Sequence, residues 1–255
     1  MNILVLVKQT FDTEEKIVIQ NGQIGEDSVE FILNPYDEFA VEEAIKIKED
    51  LGAEVTVLTV GPDRSEGVLR TALAMGADKG IFIELEEEEV DEYTLSKYIA
   101  AAIKGKEYDL ILGGNMAVDS GSGQVAIRVS EELGIPQVSS ITKLSLEGGK
   151  ALVERDVEGD VEVVEVNLPF LATTQQGLNE PRYPSLPGIM KAKKKPIERL
   201  MIDDLELSED DLAVRTSISD QFLPAKKQAG RIFEGEVQQQ ITELVQVLRT
   251  EAKIV

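Results

Sequence analysis

Residues 3–138 repeat one pattern: a short, unbroken apolar run, then a stretch periodic enough for a helix. Residues 3–7 are apolar throughout and end at Lys8, which fits a strand buried on both faces of a parallel sheet. Asn34-Pro35 marks a turn feeding a helix over 38–51. There Phe39, Val41, Ala44, Ile45, Ile47 and Leu51 form a broad apolar face, and Gly52 ends it. Residues 54–60 read as a strand, 68–75 as a helix stopped by Gly76, 80–85 as a strand and 94–104 as a helix. A strand over 109–112 and a helix over 125–133 follow, and 135–138 returns to the sheet. This alternation predicts an α/β fold, a doubly wound, Rossmann-like parallel sheet with right-handed crossovers. Residues 16–20 and 23–24 flank Asn21-Gly22, a pair that accepts positive φ and so predicts a β-hairpin. Residues 86–89 read as a solvated acidic connection.

From Ile141 the rhythm changes. Residues 141–146, 150–157, 161–166 and 170–173 alternate in polarity and are separated by Gly148-Gly149 and Gly159-Asp160, which predicts antiparallel strands extending the edge of the main sheet. Residues 178–195 then carry Pro181, Pro184 and Pro187, a density that rules out a helix interior. The expected form is an extended, stiffened arm bearing Tyr183, Leu186, Ile189 and Met190, with Lys191 and Lys193 to Lys195 behind it. Apolar groups on a rigid arm beside a basic cluster point to a surface covered by another protein. An arm packed on its own domain, with solvated lysines, is the competing reading, and spacing alone slightly favours it. Residues 203–212 are acidic and expected to be exposed, and 223–230 irregular. Residues 237–248 place Val237, Ile241, Leu244, Val245 and Leu248 at helical spacing, a face for this domain or for a partner. The expected division is an α/β nucleotide-binding domain over 1–177, a docking loop over 178–195 and a C-terminal arm over 196–255.

Composition excludes much chemistry. The 255 residues are 42% hydrophobic and 5% aromatic, enough for a substantial core. Against 26 basic residues stand 48 acidic ones, a net charge of −22, which repels nucleic acid and anionic lipid. Cysteine and histidine are both absent, so this chain alone supplies no disulfide, thiolate nucleophile, Cys/His metal site or Ser-His-Asp triad. That favours a binder over a catalyst; no catalytic residue and no metal ligand is assigned. The sequence shows no signal peptide and no membrane span, so a cytoplasmic location without membrane insertion is expected.

The residues best suited to a ligand follow the fourth strand: Gly114, Asn115, Met116, Ala117, Val118, Asp119, Ser120, Gly121, Ser122, Gly123, Gln124 and Val125. Glycines let backbone N–H groups approach a phosphate, Ser120 and Ser122 add hydroxyls, and the next helix begins there. Open α/β sheets bind ligands beyond the carboxyl ends of their strands. The pattern is neither a Walker A loop nor a G-x-G-x-x-G after the first strand, and on its own it serves equally well as turn and cap.

Val153-Glu154-Arg155-Asp156-Val157-Glu158-Gly159, then Glu162 to Val166, Leu168-Pro169 and the proline-rich arm together resemble the small (beta) subunit of electron transfer flavoproteins, over nearly the whole chain. The resemblance implies AMP held by Gly114 to Val125, flanked by Leu6 and Val60 and lined by Asn34, Pro35, Tyr36 and Asp37. Asp119-Ser120-Gly121-Ser122 departs from the Asp-Gly-Asp-Thr, or longer acidic variant, common in the family, and the missing second acid leaves the exact phosphate contacts open. In electron-bifurcating members a second FAD takes the AMP pocket; likeness to ordinary firmicute-type subunits favours AMP. The resemblance further implies a redox FAD held mainly by an alpha subunit, with Tyr36 near its ring and Thr13 where some members carry tyrosine. Leu186 matches an anchor leucine that docks on acyl-CoA dehydrogenases. Asp156 matches an acid that pairs with an arginine on the alpha subunit's mobile flavin domain, and the C-terminal tail is expected on that subunit. The implied role is an electron carrier, not an enzyme, passing electrons from acyl-CoA and related dehydrogenases through a quinone oxidoreductase towards the quinone pool. Readings of other classes are an AMP- or ATP-sensing module and a nucleotide-hydrolysing or adenylating enzyme on the same scaffold.

Overall fold

The computed structural model describes residues 1–26, 29–85, 89–227 and 229–254, so Glu86 to Glu88 of the expected acidic connection lie outside the described residues. The chain forms two compact units, one of residues 1–17 with 26–219, the other of 18–25 with 220–255. In chain order the strands are β1 (Asn2–Leu6), β2 (Gln9–Phe11), β3 (Ile19–Gln20), β4 (Gln23–Ile24), β5 (Phe31–Leu33), β6 (Glu54–Gly61), β7 (Lys79–Glu84), β8 (Leu110–Gly114), β9 (Gln137–Glu147), β10 (Lys150–Val157), β11 (Asp160–Asn167), β12 (Phe170–Thr174) and β13 (Ile197–Met201). The helices are α1 (Pro35–Leu51), α2 (Glu66–Met75), α3 (Glu92–Ile103), α4 (Val125–Leu133), α5 (Leu186–Ala192), α6 (Glu209–Leu212) and α7 (Val237–Val247). None of them is long and apolar enough to cross a membrane among the described residues.

The larger unit is built on a nine-stranded sheet in the order β11-β10-β9-β12-β8-β1-β6-β7-β13. From β9 to β13 the neighbours run parallel, while β10 and β11 fold back antiparallel at one edge. Successive residues of β1 feed opposite faces. Ile3 and Val5 join Val55, Val57, Leu110, Leu112 and Phe170 beneath α1 and α2. Leu4 and Leu6 join Leu58, Ile81, Ile111 and Leu171 beneath α3 and α4. Two cores, one per face, are why the central strands read as unbroken apolar runs. After β1 the chain builds towards β6 and β7, then α3 carries it back to β8 on β1's other side. The strand order therefore reverses between β1 and β8, where such sheets open a crevice at their carboxyl ends.

Four local expectations need correction. The return to the sheet expected at 135–138 and the strand expected over 141–146 are joined in one continuous β9 that begins at Gln137. Residues 170–174 are no antiparallel strand: β12 inserts between β9 and β8 and runs parallel to both, every one of its residues buried. The arm is extended only to Ser185, beyond which α5 forms. Pro187 sits in that helix's first turn, where its missing N–H costs nothing, and the Ser185 side chain accepts a bond from Gly188 N at 3.1 Å. Finally, Ile197–Met201 is the parallel edge strand β13 on β7, and the larger unit continues to Ser219, so the backbone has no division at 195/196.

The smaller unit contains the expected hairpin, with Asn21 at φ 53° and Gly22 at φ 79°, and the amphipathic α7. Val237, Ile241, Leu244 and Val245 of α7 are all exposed, and none of this unit's described residues is buried.

Candidate functional site

At the switch point Leu6 of β1 pairs with Gly113 of β8, and the loop over residues 114–124 rises beyond them towards α4. α1 begins beside this loop because Gly114 lets it. A Cβ there would lie 2.8 Å from the Tyr36 carbonyl carbon and would collide with the Asp37 carboxylate. Glycine is thus required by close approach between strand end and helix start.

Asp37 is the centre of the resulting network. Its Oδ2 accepts from Lys8 N at 2.7 Å, and its Oδ1 accepts from Asn34 Nδ2 at 2.9 Å and Gly114 N at 3.0 Å. Burial pushes its pKa up to about 7, against the pull of those donors and of the Lys8 charge. Asn34 precedes α1 but does not cap it. Its amide instead grips the loop, donating to Met116 O at 3.0 Å and accepting from Val118 N at 3.1 Å. Lys8 closes the circuit, its Nζ reaching Asp119 Oδ1 at 2.8 Å. On the far side Asn115 Oδ1 accepts from Ser140 Oγ at 2.9 Å and Thr173 Oγ1 at 3.2 Å, and Thr174 Oγ1 donates to Tyr36 O at 3.1 Å.

The first half of the loop is therefore pinned to β1, α1, β9 and β12, while Val118 to Gly121 stand exposed. Gln124, at the start of α4, makes no side-chain cap; its Oε1 accepts from Arg128 Nη2 at 2.9 Å instead. The start of α4, with Ser120 and Ser122 before it, gives a site able to hold an anionic group. Among the described residues no cluster of acidic side chains could hold a metal ion there.

Of the residues singled out from sequence, Asn34, Asp37, Gly114, Met116, Val118 and Asp119 are directly joined. Leu6 and Val60 lie at the carboxyl ends of β1 and β6, on the sheet face covered by α3 and α4. Pro35 and half-buried Tyr36 open α1. Thr13 stands apart from this network, exposed in the turn after β2. Lys8, Ser140, Thr173 and Thr174 were missed. Only Lys8 carried a signal, a lone cation at a strand end in an acidic chain.

The arm is bolted to the same body. Arg182 Nε binds Glu42 Oε2 at 2.9 Å and its Nη1 binds Glu49 Oε1 at 2.6 Å, while Asn179 Nδ2 binds Phe39 O at 3.0 Å. A Cβ on Gly188 would strike the carbonyl oxygen of Ala74, so α5 lies backbone to backbone on α2. Arg70 Nη1 closes the carboxyl end of α5 at Ala192 O, 2.8 Å away. Lys195 is no solvated member of the basic cluster: its Nζ caps α2 at Leu73 O, 2.9 Å, and at Ala77 O. The outer face remains open, with Tyr183 94%, Leu186 80% and Met190 72% exposed and Ile189 partly so. Asp156 is exposed on β10, opposite Val161.

Residues 21–205 match the family model described as the electron transfer flavoprotein domain. Over its full length the chain is 55% identical to the electron transfer flavoprotein subunit beta of Bacillus subtilis (strain 168), all of which is covered. It is 42% identical to the protein of that name from Syntrophomonas wolfei, covering all of this chain and 98% of that one. With the Homo sapiens subunit beta it shares 37% identity over 90% of this chain and 91% of the other.

Proposed function

The chain belongs to the beta-subunit branch of the electron transfer flavoprotein family, and from that premise we propose a division of labour between this subunit, an alpha subunit and two nucleotides. The family's work is electron transfer, and a beta subunit implies an alpha partner. In our reading the redox FAD is held mainly by that partner, with Tyr36 and Thr13 on the near side of its ring. Bound FAD supplies the electron-carrying chemistry. AMP occupies the loop from Gly114 to Val125, with Leu6, Val60 and residues 34–37 around it. Dehydrogenases such as acyl-CoA dehydrogenases dock on the arm through Leu186, and a quinone oxidoreductase takes the electrons onward. Asp156 pairs with the alpha subunit's flavin domain, and the whole assembly is cytoplasmic.

One observation carries the nucleotide assignment. Lys8, Asn34 and Asp37 fasten the loop at the switch point, and Val118 to Gly121 stand exposed beyond that anchorage, next to the start of α4. What the chain contributes is grip and orientation, since it offers no group that could carry electrons. Acid extraction of the purified alpha–beta complex tests the reading, with one FAD and one AMP per complex as the expected count. Two FAD would replace AMP by the bifurcating arrangement, and a complex without any nucleotide would overturn the assignment. Gly114→Ala drives α1 away from β8 and is expected to lower AMP content while leaving FAD near one.

A further inference from the structure

A carboxylate buried against an anion-holding loop is an unusual arrangement, and Asp37 is one. It is 5% exposed, yet it accepts from Gly114 N, where the loop begins, and from Lys8 N just past β1. Lys8 Nζ in turn holds Asp119, further along the same loop. Two carboxylates therefore share one ammonium before any ligand charge is added. On α1 the adjoining carboxylate is Glu38, itself raised by partial burial. On α4 the cation is Arg128, bonded to Gln124 Oε1. β8, β9 and β12 meet the network with uncharged groups, Gly114, Ser140, Thr173 and Thr174.

A nucleotide's phosphate brings more of the same sign. A phosphate monoester is a dianion above about pH 6, and a buried charge feels it through protein rather than through water. Asp119 is partly exposed and stays hydrated whatever arrives. Asp37 has no such recourse, and burial already holds it at about 7, where a small push neutralises it. An anion on the loop pushes the same way, since a negative neighbour favours the uncharged carboxyl. By linkage, an anion that tightens the proton's hold on Asp37 is itself held more tightly when the proton is there.

We propose that Asp37 takes up one proton from solvent as the phosphate settles on the loop, so that the site binds a dianion and a proton together. Oδ2 receives the proton, having one donor, Lys8 N, where Oδ1 has two. Oδ1 stays an acceptor and keeps Asn34 and Gly114 in place, so the loop remains anchored while the charge beside it is removed. Asp37 is thus a positioning residue whose charge state sets how firmly the phosphate is held. This inference rests on the assignment of AMP to the loop.

The test measures Kd for AMP and for adenosine by equilibrium dialysis of the alpha–beta complex, stripped of AMP and checked for FAD, between about pH 7 and pH 9. In that range AMP stays a dianion, and this chain has no histidine or cysteine to titrate. The Kd for AMP is expected to rise about tenfold across it, while that for adenosine, which lacks the phosphate, stays flat. Asp37→Asn puts a permanently uncharged group in place and is expected to flatten the AMP curve. Glu38→Gln is expected to leave the curve as in wild type. An AMP Kd that is level across the range, a slope that survives in Asp37→Asn, or one that is lost in Glu38→Gln would overturn the proposal. A complex that binds no AMP at any pH would instead remove the nucleotide from this loop. Should Asp37→Asn melt early or lose FAD, AMP against adenosine on the wild-type complex decides alone, and equal pH dependence of the two would overturn the proposal.

Discussion

Leu186 and Met190 stand on a segment bolted to the larger unit by Arg182, Asn179, Arg70 and Lys195, with Gly188 pressed against α2. Ile232, Val237 and Ile241 are also exposed, but in a unit none of whose described residues is buried. The same kind of side chain is thus shown to solvent on two mounts. On the first, the cost of ordering the backbone is already met by the body beneath, so a partner can come and go without remaking the surface. On the second, nothing internal offsets that cost, and an amphipathic helix of eleven residues is marginal by itself. The first mount suits exchange between partners; the second suits a permanent one.

Removing residues 220–255 gives the largest expected effect. The truncated chain should keep its cooperative melt, within a few degrees of the full chain, yet fail to assemble with the alpha subunit in size-exclusion chromatography. Normal assembly would break the comparison, because the coreless unit would then have no permanent partner there. Arg182→Met attacks the other mount and leaves the buried Glu42 carboxylate without its guanidinium. A loss of about 2 kcal/mol in chemical denaturation is expected, together with new proteolytic cleavage near residues 180–186. An unchanged digestion pattern would show that the arm holds without its bolt.

These differences were only partly legible in the sequence. β1, β6, β7 and β8 declared themselves because each is buried on both faces and so carries no polar side. β12 is equally buried, yet it follows two hairpins, and nothing local says that it crosses back to lie between β8 and β9. α5 was hidden by Pro187: proline forbids a helix interior but suits its first turn, and Ser185 before it was the overlooked cap. β13 was missed because IERLM, at a sheet edge, buries none of its residues fully. At the site, the glycine-rich loop was legible as a loop. The side chains that pin it were not, since Lys8 and Asp119 lie 111 positions apart and Thr174 and Tyr36 lie 138 apart. Sequence spacing reports neighbours along the chain, and this site is made by sheet order.

Asp91 marks the boundary between the two mounts and gives the smallest expected effect. Its Oδ1 caps α3 by accepting from Thr94 N at 2.9 Å. Its Oδ2 accepts from Arg215 N at 2.6 Å and Thr216 N at 2.8 Å, tying down the chain shortly before the second unit resumes at Asp220. Burial alone would raise its pKa, but those backbone donors outweigh it and hold the carboxyl at about 2. An unfolded aspartate titrates near 4, so the stabilisation is complete above about pH 4 and drains away as pH falls through about 2. Discounted for solvent screening it is worth about 1 kcal/mol. Asp91→Asn keeps an oxygen for one side of the junction but not a charge for both. The variant should therefore lose the Asp91 share of the acid-side slope in thermal denaturation, and amides 215–216 should exchange with solvent faster while those of α3 beyond its first turn keep their protection. If exchange spread through α3 and into the sheet instead, the tie at 215–216 would be part of the core, and the line between a rigid mount and a partner-dependent one would have to be drawn after it.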